Sequence, residues 1–115
     1  MPADRLPPIR GTQIGLKFPD QVDNIKADMK AGRFDFQERR ARIGGVRDTR
    51  GVYHVIDGHH RMVAAIELMR ETGDPAAVFE LLRWGNWAEE QPRPFHSRPL
   101  PLRDWWGALR NWLGW

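Results

Sequence analysis

The stretch Tyr53-His-Val-Ile-Asp-Gly-His-His-Arg-Met62 decides how this chain folds. Its first half is a short apolar run, which predicts a β-strand, and the strand pattern stops at Asp57-Gly58. A helical spacing of apolar residues begins within two residues, so the segment predicts a strand that passes directly into a helix. The first turn of a helix carries unpaired N–H groups and the positive end of the helix dipole, and it therefore favours anions. Gly58 lets a ligand approach the backbone closely.

The side chains around this junction suit chemistry on a phosphate group. Arg61 can bind phosphate through two parallel hydrogen bonds, and His59 or His60 can act as a general base or acid near neutral pH. Asp57 can orient an imidazole or hold a hydrated divalent cation such as Mg²⁺. The plainer alternatives are that the histidines are incidental and that Asp57 caps the helix. We predict a phosphate loop with candidate catalytic residues Asp57, His59, His60 and Arg61, and with Gly58 and Arg61 as phosphate-binding residues.

The composition excludes several classes of protein. Cysteine is absent from the 115 residues, which excludes disulfides, thiolate metal sites and thiol catalysis. No apolar run approaches the roughly 20 residues that span a bilayer, and no signal-peptide pattern opens the chain, so we expect neither feature. The glycine motifs of P-loop and dinucleotide-binding proteins are missing, and so is the spacing of a histidine zinc site.

The positive charge comes mostly from arginine. The net charge is +3, and arginine outnumbers lysine 15 to 3. The planar guanidinium suits phosphate oxygens and base edges better than an ammonium group does. Within the arginine-rich segment 33–50, Arg39, Arg40 and Arg47 are weak candidates for contacts with nucleic acid. A solvated, salt-bridged face is an equally good explanation of the same residues.

Proline and glycine positions divide the chain into secondary-structure elements. His54 alternates with Val52 and Ile56 along the strand, so we expect it to be buried. The predicted elements are a short strand within 9–15, a helix from Pro19 to Gly32, an extended piece at 34–36, a hairpin with strands 42–46 and 52–56 around a turn at 48–51, a helix from 59 to Gly73, a helix from Asp74-Pro75 to Gly85, and a short helix 105–113.

These elements predict one α+β domain over residues 1–115. We expect a short mixed β-sheet packed by about three helices, with a lead-in and first strand at 1–16 and a core at 17–85. Residues 86–115 would form a proline-rich strap and a tryptophan-rich C-terminal cap, because Trp105 and Trp112 share one helical stripe. Such a helix could instead stack on nucleic-acid bases or lie in a membrane interface.

The central motif resembles that of a known superfamily. Residues 55–65, Val-Ile-Asp-Gly-His-His-Arg-Met-Val-Ala-Ala, are similar to the signature of the ParB/sulfiredoxin-like superfamily, and the similarity extends over Gly51 to Gly73. In that superfamily a strand, a Gly-x-x-Arg turn and a helix bind the phosphates of a nucleotide or nucleic acid, which here implies a phosphate loop from Gly58 to Arg61. Sulfiredoxin has a cysteine in this turn. The absence of any cysteine here excludes sulfinic acid reduction, and from the residues after Gly85 we do not expect the extra DNA-binding domain of chromosome-partition members or their CTP-gated clamping on DNA.

A narrower resemblance concerns the C-terminal residues 100–115 and the segment 18–29. Both are similar to ParB-like toxin domains at the C-termini of bacterial polymorphic toxins of the Rhs and contact-dependent types. This resemblance implies a nuclease that is part of a longer secreted polypeptide and is delivered into the cytoplasm of a target cell. It also implies two partners, a nucleic acid or nucleotide and a cognate acidic immunity protein.

Several functions stay open at this point. The leading hypothesis is an antibacterial effector that cleaves nucleic acid, with DNA favoured over RNA, and Mg²⁺ is a candidate cofactor. One alternative is a nucleotide-hydrolysing or phosphotransfer enzyme of the same fold, and another is a non-catalytic nucleotide- or DNA-binding module. A last alternative is an interaction module whose tryptophan-rich tail is the working surface.

Overall fold

A β-hairpin near the middle of the chain organises the fold. The computed structural model describes residues 6–13, 15–90 and 97–102. Within these residues, a mixed four-stranded sheet is combined with three α-helices. In chain order the elements are β1 (Ile9–Arg10), α1 (Pro19–Lys30), a 3₁₀ helix (Arg39–Ala41), β2 (Gly44–Asp48), β3 (Tyr53–Asp57), α2 (His59–Thr72), α3 (Ala76–Trp84) and β4 (Asn86–Glu90).

Asp48 holds the turn of this hairpin. Its carbonyl accepts a hydrogen bond from the Gly51 N–H at 2.9 Å, and its carboxylate Oδ1 accepts from the N–H groups of Arg50 and Val52. Gly51 has a φ of +81°, which glycine adopts at little cost. The turn predicted from the sequence is therefore confirmed, and it fixes the antiparallel pairing that puts Val46 opposite His54.

The two outer strands complete the sheet in the order β1-β3-β2-β4. Strand β1 runs parallel to β3, and β4 runs parallel to β2 with Gly44 opposite Asn86. Strand β4 was not expected, because the sequence analysis placed its residues in the strap. Trp87 anchors it by donating its indole N–H to the Leu82 carbonyl at 2.8 Å and by packing edge-on against Tyr53, 4.9 Å between ring centroids.

One cluster of buried apolar side chains fills the space between the sheet and the helices. Helix α2 contributes the largest share because it packs against both α1 and α3. Each fully buried aliphatic side chain contributes about 1.5–3 kcal/mol relative to an exposed one. The side chains of this core that are almost inaccessible to solvent are Val22, Ile43, Val55, Met62, Val63, Val78 and Leu81.

The structure confirms the predicted α+β class, the mixed sheet and the three helices. No strand forms at 34–36, where Phe34 has no regular secondary structure and Phe36 lies in a turn; their rings pack edge-to-face at 4.9 Å. The tryptophan-rich cap within 103–115, residues 91–96 of the proline-rich strap, residue 14 and the first five residues lie outside the described residues. Within the described part of the chain, no helix is both long and apolar enough to cross a membrane.

Candidate functional site

The junction between β3 and α2 can be built only with glycine. Gly58 is the N-cap of α2 and has a φ of +98°, in the left-handed region that L side chains rarely adopt. A Cβ atom at this position would lie 2.3 Å from Cγ2 of the buried Ile43. The Gly58 carbonyl accepts the first helical hydrogen bond, from the Met62 N–H at 3.1 Å. The chain therefore turns from strand to helix within one residue, as the motif predicts.

Helix α2 begins at a residue that has no side chain, because its N-cap is Gly58. Gly58 provides no side-chain cap for the N–H groups of the first turn, and that turn contains no acidic residue. The alternative in which Asp57 caps the helix is therefore wrong. Because the N–H groups of the first turn carry partial positive charge, this end of α2 favours an anion.

An open cleft of about 440 Å³ lies at this end of the helix. Its basic groups are Arg61 and Lys17, and Asp57 is the one carboxylate lining it among the described residues. One wall comes from the segment before α1 and from α1 itself, and the other from the phosphate-loop motif. The lining residues are Gln13, Lys17, Phe18, Gln21, Ile25, Asp57, Gly58, His60 and Arg61.

His60 lies in the cleft, but one of its ring nitrogens is already engaged. Its Nε2 accepts a hydrogen bond from the Phe18 N–H at 3.0 Å. An acceptor nitrogen carries no proton, so the neutral ring bears its hydrogen on Nδ1. In this arrangement His60 presents a hydrogen-bond donor to a ligand. It becomes a general base through Nε2 only if the Phe18 N–H is released.

His59 is directed away from the cleft into the protein. Its side chain is 3 % exposed, and its Nε2 accepts a hydrogen bond from the Thr12 N–H at 3.0 Å. Burial lowers the pKa of His59, and the charge of neighbouring His60 lowers it further. Adjacent helical residues point about 100° apart, which separates the two imidazoles. His59 therefore fixes the segment around Thr12 and is not among the groups lining the cleft.

Asp57 is exposed at the mouth of the cleft and can contribute one carboxylate to a cation. Within the described residues, no group of three or more His, Cys, Asp or Glu side chains is arranged to hold a metal ion. Mg²⁺ is commonly bound by one or two carboxylates, with water and substrate phosphates completing its octahedral shell. The residues present thus fit Mg²⁺ only together with a bound phosphate.

The arginines predicted for nucleic-acid contacts lie elsewhere. Arg39 and Arg40 are exposed on the 3₁₀ helix, and Arg47 forms a 3.2 Å salt bridge with Glu89. None of the three lines the cleft. Lys17 also lines the cleft and was not predicted from the sequence, because no motif marks a lysine that precedes a helix as part of a site formed around residue 58.

Comparison of the chain with protein-family models, curated proteins and solved structures found no match.

Proposed function

We propose that this chain binds phosphate groups at the N-terminus of α2 and hydrolyses phosphodiester bonds of nucleic acid, with DNA as the favoured substrate. One observation carries the proposal. The uncapped first turn of α2, the Arg61 guanidinium and the Lys17 ammonium all border one open cleft. Such a combination favours a phosphate over a neutral ligand. The ParB/sulfiredoxin-like character of the motif, which we propose on its sequence, agrees with this use.

Each group in the cleft has a role in this proposal. Arg61 and the helix N–H groups bind the non-bridging phosphate oxygens and stabilise the negative charge that increases in the transition state. Lys17 adds a second positive charge from the opposite wall. Asp57 would repel a bound phosphate on its own, so its presence favours a divalent cation between the two. That cation would supply Lewis-acid activation of the phosphate and of water.

His60 supplies a proton-transfer group in either of two states. With the Phe18 hydrogen bond intact, its Nδ1–H donates to a phosphate or leaving oxygen. With that bond released when substrate enters, Nε2 accepts the proton of the attacking water. The variants His60→Gln and His60→Asn separate these states. The Gln amide places a polar atom near Nε2 and can replace the acceptor for Phe18, whereas the Asn amide places its donor near Nδ1.

A non-catalytic phosphate-binding module is the second candidate function. Two observations favour it: the Phe18 N–H occupies the Nε2 atom that a base would use, and among the described residues Asp57 is the one carboxylate in the cleft. In this case the same loop binds a nucleotide or DNA without turnover. A nucleotide-hydrolysing or phosphotransfer enzyme would use the same groups on a smaller substrate.

We further propose that the domain acts as an effector delivered into a target-cell cytoplasm as part of a longer secreted polypeptide. The resemblance to ParB-like toxin domains and the arginine-rich composition support this setting. A net charge of +3 is also suited to an acidic immunity protein, because opposite charges accelerate association.

The test incubates the chain with supercoiled plasmid, bulk RNA and nucleoside triphosphates, each with Mg²⁺ or with a chelator. Arg61→Ala is the disabling variant, and Arg70→Ala is its matched control, because Arg70 is exposed on the same helix and does not line the cleft. We expect Mg²⁺-dependent nicking by the native chain and by Arg70→Ala. Arg61→Ala should be at least about 100-fold slower, the scale for losing one transition-state charge donor.

The other outcomes discriminate between the candidates. Loss of triphosphate with intact plasmid would assign nucleotide chemistry to the cleft. Binding of DNA or nucleotide without any product, lost in Arg61→Ala and kept in His60→Ala, would establish the non-catalytic module. Neither binding nor turnover of any of the three would refute a phosphate site at this cleft.

A further inference from the structure

A series of hydrogen-bonded polar side chains lies on the face of the sheet opposite to Val55. Strand residues alternate between faces, and the β2–β3 register places Asp48, Val46 and His54 on the same side. Asp48 is 6 % exposed and His54 is 7 % exposed, so the structure confirms the burial of His54 expected from the sequence. Neither residue lines the phosphate cleft. Burying two ionisable groups is costly unless each is fully hydrogen-bonded.

Asp48 and His54 belong to a continuous series of hydrogen bonds that also includes Ser97, and we call these three residues the relay. The His54 Nε2 lies 2.9 Å from Asp48 Oδ2, and the His54 Nδ1 lies 2.8 Å from the Ser97 hydroxyl. At its other side the Ser97 Oγ accepts a hydrogen bond from Arg10 Nε at 2.9 Å. Ser97 is the only serine of the chain, which has no cysteine.

The donors and acceptors fix where the protons lie. Asp48 is ionised, since the hydrogen bond with His54 lowers the pKa of its carboxyl group and its backbone hydrogen bonds in the turn lower it further. In its neutral form His54 then donates from Nε2 to Asp48, and its Nδ1 is an acceptor. The Ser97 hydroxyl accepts from Arg10, so its own proton points to Nδ1. This is the protonation state that activates a serine nucleophile.

We infer that Ser97 is the nucleophile of an acyl-transfer site in which His54 is the general base, Asp48 orients the imidazole and Arg10 stabilises the oxygen anion. The substrate class is an activated carboxylic ester. Ser97 is only partly buried, while the base and the orienting carboxylate are both buried. Ser97 is thus the most exposed of the three residues of the relay.

The acyl-transfer step balances without a cofactor. A bond forms between Ser97 Oγ and the carbonyl carbon of the ester, and the Ser97 proton passes to His54 Nδ1. The bond from that carbon to the alkoxy oxygen then breaks, and the leaving alcohol takes the proton from Nδ1. Water repeats the sequence on the acyl-serine, which releases the carboxylic acid and restores the hydroxyl group.

The test uses the full chain with a fluorophosphonate probe, followed by intact mass and peptide mapping, and with p-nitrophenyl acetate as a chromogenic ester. We expect one adduct, located at Ser97, and none in Ser97→Ala. Asp48→Asn keeps the shape of the side chain and should label at least about 100-fold more slowly, the scale of general-base assistance. Thr49→Ala is the control, because it removes an exposed hydroxyl from the same hairpin and should label as the native chain does.

Circular dichroism of each variant shows whether slower labelling comes from loss of the relay or from unfolding of the chain. Labelling of the native chain that disappears in urea is expected, because the relay joins residues 43 positions apart. Two results would overturn the assignment: a folded native chain that stays unlabelled, or Ser97 labelling at equal rates in native, Asp48→Asn and urea-unfolded protein. In either case the relay only fastens residue 97 to the sheet.

Discussion

Replacing Gly58 by alanine tests the physical reason for the strand-to-helix junction. Two costs are expected. The first is the left-handed backbone, which costs an L-residue about 1–2 kcal/mol. The second is the collision with Ile43, whose Cγ2 and Cβ atoms would lie 2.3 and 2.7 Å from the new Cβ. Ile43 is 1 % exposed and cannot move into solvent, so overpacking adds about 1–3 kcal/mol. The free energy of unfolding should fall by about 2–5 kcal/mol in all.

Gly73→Ala is the matched control for the backbone cost. Gly73 ends the same helix with a φ of +78°, but a Cβ there would meet no atom within 4 Å. This variant should lose only the conformational part, about 1–2 kcal/mol. Urea denaturation followed by far-UV circular dichroism measures both variants against the native chain, and a common m-value allows their midpoints to be compared directly.

The double variant Gly58→Ala/Ile43→Ala tests whether the collision with Ile43 explains why Gly58→Ala loses more stability than Gly73→Ala. Ile43→Ala alone should cost about 2–5 kcal/mol, and it removes the nearer contact, Cγ2 at 2.3 Å, while the Cβ contact at 2.7 Å remains. The double variant should therefore be more stable than the two single losses combined would give, by part of the overpacking cost of about 1–3 kcal/mol. Equal stability of Gly58→Ala and Gly73→Ala, or strict additivity in the double variant, would refute the close approach of Ile43 as the reason for glycine.

Three further predictions concern ionisable groups. The lowered pKa of His59 means that the unfolded chain binds this proton more readily, so the free energy of unfolding should fall as pH falls below 6.5, by at most about 1.4 kcal/mol per pH unit. Urea midpoints between pH 7 and 5 should show this slope in the native chain and not in His59→Gln. Equal slopes in the two proteins would mean that His59 titrates as in the unfolded chain. Burial lowers the pKa of Lys26, but the hydrogen bonds to Glu71 and Glu67 outweigh this effect and raise the pKa. The salt bridges of Lys26 between α1 and α2 should therefore stabilise the fold fully below pH 10.5, and this stabilisation should be lost as pH rises through the raised pKa. Lys26→Met should cost about 1 kcal/mol at pH 7, and a loss unaffected by 1 M salt would contradict an ionic origin. Because the His54 hydrogen bond lowers the pKa of Asp48, the ionised Asp48 should contribute its full stabilisation of the fold above pH 3.8 and lose it as pH falls through the lowered pKa. Acid unfolding of Asp48→Asn should lack this contribution. Identical acid transitions in the variant and the native chain would refute the contribution of Asp48.

Local signals in the sequence account for the helices and the hairpin. Pro19 fixes a backbone angle suited to the first turn of α1, and Gly73 supplies the left-handed residue at the end of α2. Asp48 and Gly51 define the hairpin turn through hydrogen bonds within four residues of one another. Because these interactions join near neighbours in the chain, residue type and spacing are sufficient to predict them. The anion-favouring end of α2 follows from the same local information.

Contacts between distant parts of the chain were decided only by the tertiary structure. The sequence presents His59 and His60 as equivalent, but Thr12 and Phe18 bind one each and leave only His60 in the cleft. Strand β4 and the approach of Ser97 to His54 depend on where the chain returns after α3. The sequence by itself therefore determined which local elements form. Tertiary structure decided which side chains share a site, because long-range packing sets the direction of each side chain, and residue spacing does not encode it.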